Sequence, residues 1–230
     1  MDSMKPSRRG MIVTIDGPAG AGKTSVSKLL AHRLGYRYLD TGALYRAVAV
    51  AAMQAGIASD DDAALEDLCR RISLDLQETK EGLRILLNQK DITDLIRAPE
   101  ISMVASAVSA RPVIRVFLLQ TQRDLGAQGG VVAEGRDMGT VVFPHAEAKF
   151  FLDADSGIRA KRRYEELKTL NMQAPSLEVV QKDMAQRDHN DATRPVAPLQ
   201  AAADAIVIDS TLLALDEVVS RMLDHIDRIA

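Results

Sequence analysis

One cysteine, Cys69, stands in a chain of 230 residues, so no internal disulfide framework can hold the fold. That thiol lies in an apolar helical pattern and is expected to pack rather than react, in keeping with a reducing compartment. Long hydrophobic runs are missing, and nothing approaches the length of a membrane-spanning helix. The first ten residues, Met1–Gly10, are polar and lack the apolar core of a signal peptide; they read as a disordered leader, with Met4 an alternative start. A basic excess is also absent. With 29 basic against 32 acidic residues the net charge is −3, which argues against a general binder of nucleic acid or anionic membrane. The four histidines, His32, His145, His189 and His225, are scattered and expected on the surface or in loops rather than at a metal. There is no internal repeat and no low-complexity tract. The cytoplasm is the expected location.

What the chain does have is 47% hydrophobic residues, enough for one domain over residues 11–230 with a small insert. Short apolar runs alternate with helical periodicity, the pattern of an α/β fold: a five-stranded parallel sheet with helices on both faces. The expected strands are Met11–Ile15, Tyr36–Leu39, Val131–Ala133, Lys149–Leu152 and Ala205–Ile208. Helical patterns fill Lys23–Leu34, Ala43–Ala55, Ser106–Leu125, Ser156–Leu170, Leu177–Arg187 and Leu212–Ile229. Between the second and third strands the period changes to two, over Ile72–Leu76 and Leu83–Leu87, with Lys90–Thr93 a further short strand. This predicts an antiparallel β insert within about 60–105. Each parallel strand ends near polar residues, Asp16, Asp40-Thr41, Glu134, Asp153 and Asp209-Ser210, where ligands of open α/β sheets bind.

The most informative stretch is Gly17-Pro18-Ala19-Gly20-Ala21-Gly22-Lys23-Thr24, followed by Ser25. It matches the phosphate-binding loop Gly-x-x-x-x-Gly-Lys-Ser/Thr at every fixed position, with a strand before it and a helix after it. Glycines allow successive N–H groups to curl around an anion, and the helix N-terminus adds partial positive charge. Lys23 is expected to reach the outer phosphates of ATP and Thr24 to ligate Mg²⁺. Val26, Leu29, Leu30 and Leu34 give the helix its apolar face, and Gly35 is its expected C-cap.

Such a loop serves GTPases, ATP-driven motors and small-molecule kinases alike. The guanine-specific Asn-Lys-x-Asp and switch Asp-x-x-Gly elements are both missing, and the chain is small for a motor. Arginines, by contrast, occur in discrete groups: Arg46; Arg111 and Arg115; Arg136; Arg159, Arg162 and Arg163; Arg187 and Arg194. Phosphoryl transfer between two nucleotides gathers several negative charges, which guanidinium forks, lysine and Mg²⁺ neutralise. A solvated surface is the ordinary role of any one arginine, but those beside strand ends and glycine turns depart from it.

Four strings together closely resemble bacterial cytidylate kinases: Ile15–Lys23, Leu39–Arg46, Glu134–Pro144 and Arg194–Leu199. The phosphate loop is generic; Gly135-Arg136-Asp137-Met138-Gly139-Thr140-Val141-Val142-Phe143-Pro144 is specific to that family. The resemblance implies a P-loop fold of the nucleoside monophosphate kinase type, with the insert near the monophosphate and a lid over about 156–194. It implies transfer from MgATP to CMP or dCMP, in pyrimidine nucleotide metabolism, by a monomer with no nucleic-acid or membrane partner. Gly17–Ser25 would cradle ATP. Thr41, where the family often has Ser, would serve the acceptor phosphate with Arg46 and Arg136, and Tyr45 would pack beside the nucleotide. Ser106, Arg115 and Asp137 would face the cytosine edge; Arg187 and Asp191 would meet the ribose. Lys23, Arg136, Arg159, Arg163 and Arg194 would carry catalysis, with Arg162 flanking the lid.

Blander roles stand beside these. Ser106 suits a helix packing face, Asp191 a turn, and Asp16 a loop-stabilising hydrogen bond as readily as the outer Mg²⁺ shell, for which Glu134 is the other candidate. Two further functions remain open at this level: another small-molecule kinase, for a different monophosphate or a shikimate-like alcohol, and a non-catalytic ATP-binding regulatory module.

Overall fold

In the computed structural model, residues 10–79, 82–169 and 175–230 are described. Residues 1–9 of the expected leader, residues 80–81 within the insert and residues 170–174 of the expected lid lie outside them. The chain divides into two compact units: residues 10–39, 125–193 and 197–230 form the first, and residues 40–124 with 194–196 the second.

The first unit is built on a five-stranded parallel sheet. Its strands are β1 (Ile12–Asp16), β2 (Arg37–Asp40), β6 (Val131–Gly135), β7 (Ala148–Asp153) and β8 (Ile206–Asp209), in the order β2-β6-β1-β7-β8. The register aligns Asp16 with Gly135 and with Phe151, so the C-terminal strand ends share one edge. Alternation along β1 decides what faces where. Val13 and Ile15 enter a buried cluster with Phe150 and Leu152 of β7, Leu30 of α1 (Lys23–Leu34) and Val219, Met222 and Ile226 of α8 (Leu215–Ile229). α6 (Ser156–Thr169) and α7 (Leu177–Thr193) pack a smaller cluster of Ala160, Leu167, Val180 and Met184, against which Ala19 rests. The five expected parallel strands are all present, each with its ends within two residues of the expected ones. Gly35 caps α1 with φ 66°, as expected.

The second unit holds α2 (Thr41–Gln54), α3 (Asp62–Arg71), an antiparallel sheet of β3 (Leu74–Thr79), β4 (Gly82–Leu87) and β5 (Lys90–Asp91), then α4 (Pro99–Ser109) and α5 (Pro112–Gly126). The β insert thus exists, inside a unit wider than 60–105. α2 starts two residues before its expected position because Asp40 Oδ1 accepts the Ala43 N–H at 3.0 Å. α3 bears out the apolar helical pattern around Cys69, whose bounds the sequence left open; Asp61 caps it, and Leu65, Leu68 and Cys69 face inward. Burial pushes the Cys69 thiol up to about 11, so the residue packs and does not react at neutral pH.

One expected helix is corrected. Ser106–Leu125 is not continuous: α4 ends at Ser109, α5 begins at Pro112, and the pieces meet at 96°. Proline has no N–H for a preceding turn and pushes Arg111 out of helical geometry, so periodicity continues while the backbone breaks.

Candidate active site

The phosphate loop leaves β1 at Asp16 and enters α1 at Lys23, and the adjoining geometry explains its shape. Gly17 has φ 148°, and a Cβ there would stand 2.0 Å from the Leu152 carbonyl oxygen. Gly22, at φ 93°, caps α1 without any side-chain acceptor, so the first-turn amides keep their donor capacity. Lys23 is buried, and its Nζ donates to the Pro18 carbonyl at 2.7 Å. Burial and then the Arg136 cation push its amine well below the ordinary lysine range, Arg187 adding to the effect and Glu134 and Asp16 opposing it.

Asp16 stands on the face of β1 opposite the apolar cluster. Its two oxygens accept the N–H groups of Met138 and Gly139, each at 2.8 Å. Of its two sequence-level roles, the loop-stabilising hydrogen bond is the one observed. Burial raises its pKa to about 6 against those amides, with the Asp137 charge adding. The two bonds start a π-helical turn, Met138–Val142, immediately after Arg136 and Asp137. Glu134, at the end of β6, accepts the Thr24 hydroxyl at 2.8 Å and also the Tyr38 hydroxyl.

The arginines separate by partner. Arg136 Nε donates to Asp191 Oδ2 at 2.9 Å, which joins the loop after β6 to α7. Arg187 and Asp191 lie four apart on α7, on one face. Arg159 is buried; its Nε donates to the Ala154 carbonyl at 2.9 Å and its Nη1 to the Ala19 carbonyl at 3.0 Å. Arg162 holds Ser210 through two bonds, and the Ser210 hydroxyl in turn donates to the Ala21 carbonyl at 3.0 Å. Arg163 pairs with Glu166 on its own helix surface. Four of the five expected catalytic residues, Lys23, Arg136, Arg159 and Arg163, therefore belong to the first unit, as does the buried Asp137.

Arg194, the fifth, belongs to the second unit together with Thr41, Tyr45, Arg46, Ser106 and Arg115. Arg46 Nη2 binds Asp40 Oδ2 at 2.7 Å, while Thr41 is buried in the first turn of α2. Arg115 lies with its guanidinium 5.5 Å from the centre of the Tyr45 ring and donates Nε to the Ser109 carbonyl at 2.8 Å. Ser109 also donates to the Ser106 carbonyl at 2.8 Å and accepts from Arg194 Nη1 at 3.4 Å. The α4–α5 break is what permits this: Ser109 ends one helix while Arg115 rises from the next.

Sequence reading missed three residues of this network: Tyr38, Ser109 and Asp188. Asp188 carried the one usable signal, since it opens Asp188-His189-Asn190-Asp191 three residues before an expected ligand. Among the described residues no group of three or more histidine, cysteine or carboxylate side chains suits a metal ion. His32, His145 and His189 are exposed, and the His225 ring packs edge-on against Phe150.

Comparison with known proteins shows the family. A family model for cytidylate kinase matches residues 13–228. The cytidylate kinase of Geobacter sp. strain M21 is 52% identical over 213 residues, covering 93% of this chain and 91% of the relative. That of Geobacter sulfurreducens is 51% identical over 215 residues, covering 94% and 92%. In structure, an uncharacterised protein from Eubacterium ventriosum superimposes with a TM-score of 0.52 at 13% identity, over 95% of this chain and 98% of that one, a likeness of fold alone. With the loop, the Glu134–Pro144 turn and these relatives in agreement, the chain belongs to the cytidylate kinase family.

Proposed function

We propose that the chain transfers the terminal phosphoryl group of ATP to CMP and dCMP, giving ADP and CDP or dCDP. The observation that carries it, beside family membership, is the crowding of cations at the loop. Burial first, and then the Arg136 and Arg187 cations, depress the Lys23 amine, with Glu134 and Asp16 only partly opposing them. Three like charges held this way favour a polyanion spanning them.

Within the first unit, Gly17–Ser25 would hold the ATP phosphates, Arg136 the transferring group, Asp137 the base edge, and Arg187 and Asp191 the ribose. Within the second, Arg46 and Thr41 are assigned to the acceptor phosphate, and Ser106, Arg115 and Arg194, with Tyr45 beside them, to the nucleoside. Arg159 already donates to the loop carbonyl of Ala19, within the loop that would hold the donor phosphates. The acceptor oxygen is anionic at neutral pH, so no side chain has to remove a proton from it. Rate then comes from alignment and from guanidinium stabilisation of charge spreading over the phosphoryl oxygens.

Residues around Thr24 fit Mg²⁺. Glu134 accepts the Thr24 hydroxyl hydrogen bond, which leaves the Thr24 oxygen lone pairs for a hard cation. A bound Mg²⁺ would neutralise charge on the ATP phosphates, held by them and by one protein oxygen. The reading further places the chain in cytoplasmic pyrimidine nucleotide metabolism, where ATP and CMP meet, as a monomer acting without nucleic acid or membrane. ADP release measured with CMP, dCMP, UMP, AMP, dTMP and shikimate tests the acceptor. CMP and dCMP should lead the panel; a clear lead for AMP or shikimate overturns the assignment.

A further inference from the structure

Asp188 is assigned to neither nucleotide, yet its carboxylate ties α7 to the phosphate loop. Oδ1 accepts the Ala19 N–H at 3.4 Å, and Oδ2 pairs with Arg159 Nη1. That same Nη1 donates to the Ala19 carbonyl at 3.0 Å. One ion pair therefore holds both polar groups of a single loop residue, with the Arg159 side chain 10% exposed and the Asp188 side chain 20%. α6 abuts the loop so closely that a Cβ at Gly20 would stand 2.7 Å from the Arg159 carbonyl oxygen.

We propose that Asp188 is a positioning residue for ATP: through Arg159 and directly, it fixes the Ala19 peptide plane and so aims the amides that follow. The Ala19 N–H is committed to Asp188, which leaves the amides from Gly20 onward to meet the phosphates. Those amides bind an anion well only when they converge, because hydrogen bonds weaken steeply with misalignment. Without Asp188, the Ala19 peptide loses a restraint and the buried Arg159 loses its closest anion; Asp153, its other carboxylate neighbour, is 4.0 Å away.

This inference rests on the donor side of the proposed function, and a simple charge argument opposes it. Deleting a negative charge beside the ATP phosphates should tighten ATP binding, whereas losing a positioning residue should loosen it. Dissociation constants for MgATP and, separately, for CMP distinguish the two when measured calorimetrically on the full chain without turnover. Asp188→Ala should weaken MgATP about tenfold, and Asp188→Asn, which keeps one acceptor oxygen, about threefold. CMP binding should stay within twofold for both. MgATP affinity that is unchanged or tighter in the variants overturns the proposal, as does equal weakening of both nucleotides. If Asp188→Ala does not fold, the near-isosteric Asp188→Asn carries the decision alone. Should CMP prove not to be the acceptor, the MgATP comparison still reads, because it involves no acceptor.

Discussion

At the scale of the residue, charge placement in and around the loop makes two predictions. Arg136 pairs with Asp191 through Nε and donates Nη1 to the Gly135 carbonyl at 3.3 Å, which fixes the orientation of its fork. Arg136→Ala should keep the fold, by circular dichroism, and lower kcat about 10²–10³-fold at saturating substrates. Near-normal turnover would remove Arg136 from the chemistry. Asp16 yields a pH dependence. Its folded pKa, about 6, exceeds the ordinary 3.8, so the folded chain binds the proton more tightly than the unfolded one. Asp16 therefore favours folding most below pH 3.8, and that contribution is lost as pH rises through about 6. Asp16→Asn cannot titrate. The Tm of the wild type should accordingly fall relative to that of the variant between about pH 4 and pH 6, and a constant difference would contradict it.

Among the elements, the loop between β1 and α1 contrasts two glycines required for different reasons. At Gly17 both the backbone angle and the Leu152 carbonyl, 2.0 Å from any added Cβ, forbid a side chain. At Gly22 the angle alone resists, since nothing lies within 4 Å. Gly22→Ala should cost about 1–3 kcal/mol in urea unfolding, the strain of one left-handed residue. Gly17→Ala should cost more, because β7 must also shift, and should abolish MgATP binding. Equal costs would show that the β7 contact is soft. The α4–α5 break teaches a related lesson. Periodicity there reports which side chains are apolar, while Pro112 decides that the backbone stops.

For the whole molecule, one large apolar cluster is gathered on the first unit's sheet. Phe150 belongs to it, fully buried and met edge-on by His225 at 5.7 Å. Phe150→Ala should cost about 3–5 kcal/mol through lost burial and the cavity left behind. Val207 is a neighbour of Ile206 and Ile208 on β8 but is 62% exposed. Val207→Ala should stay within about 0.5 kcal/mol of wild type, as surface substitutions usually do. Chemical denaturation of both variants checks the pair; similar losses would mean that the β8 edge carries load its exposure does not show.

Local chemistry is what the sequence determined by itself. Glycine spacing, the lysine and the hydroxyl at Gly17–Thr24 specify an anion-binding turn wherever the chain goes, because φ > 0 and free amides are properties of the residues. Two-residue and helical periodicities likewise placed the strands, the β insert and most helices, since each element must bury one face. Tertiary structure alone decided which polar groups meet. Asp16 reaches Met138 and Gly139 across more than a hundred residues, and Asp188 reaches Ala19 across a greater span. Such pairings carry no local signal, because their partners depend on sheet order and helix seating. For the same reason Asp16 kept two open roles, loop anchor and outer Mg²⁺ shell, and Ser109 none as the hub between Arg115 and Arg194, until the fold had brought their partners within hydrogen-bond reach.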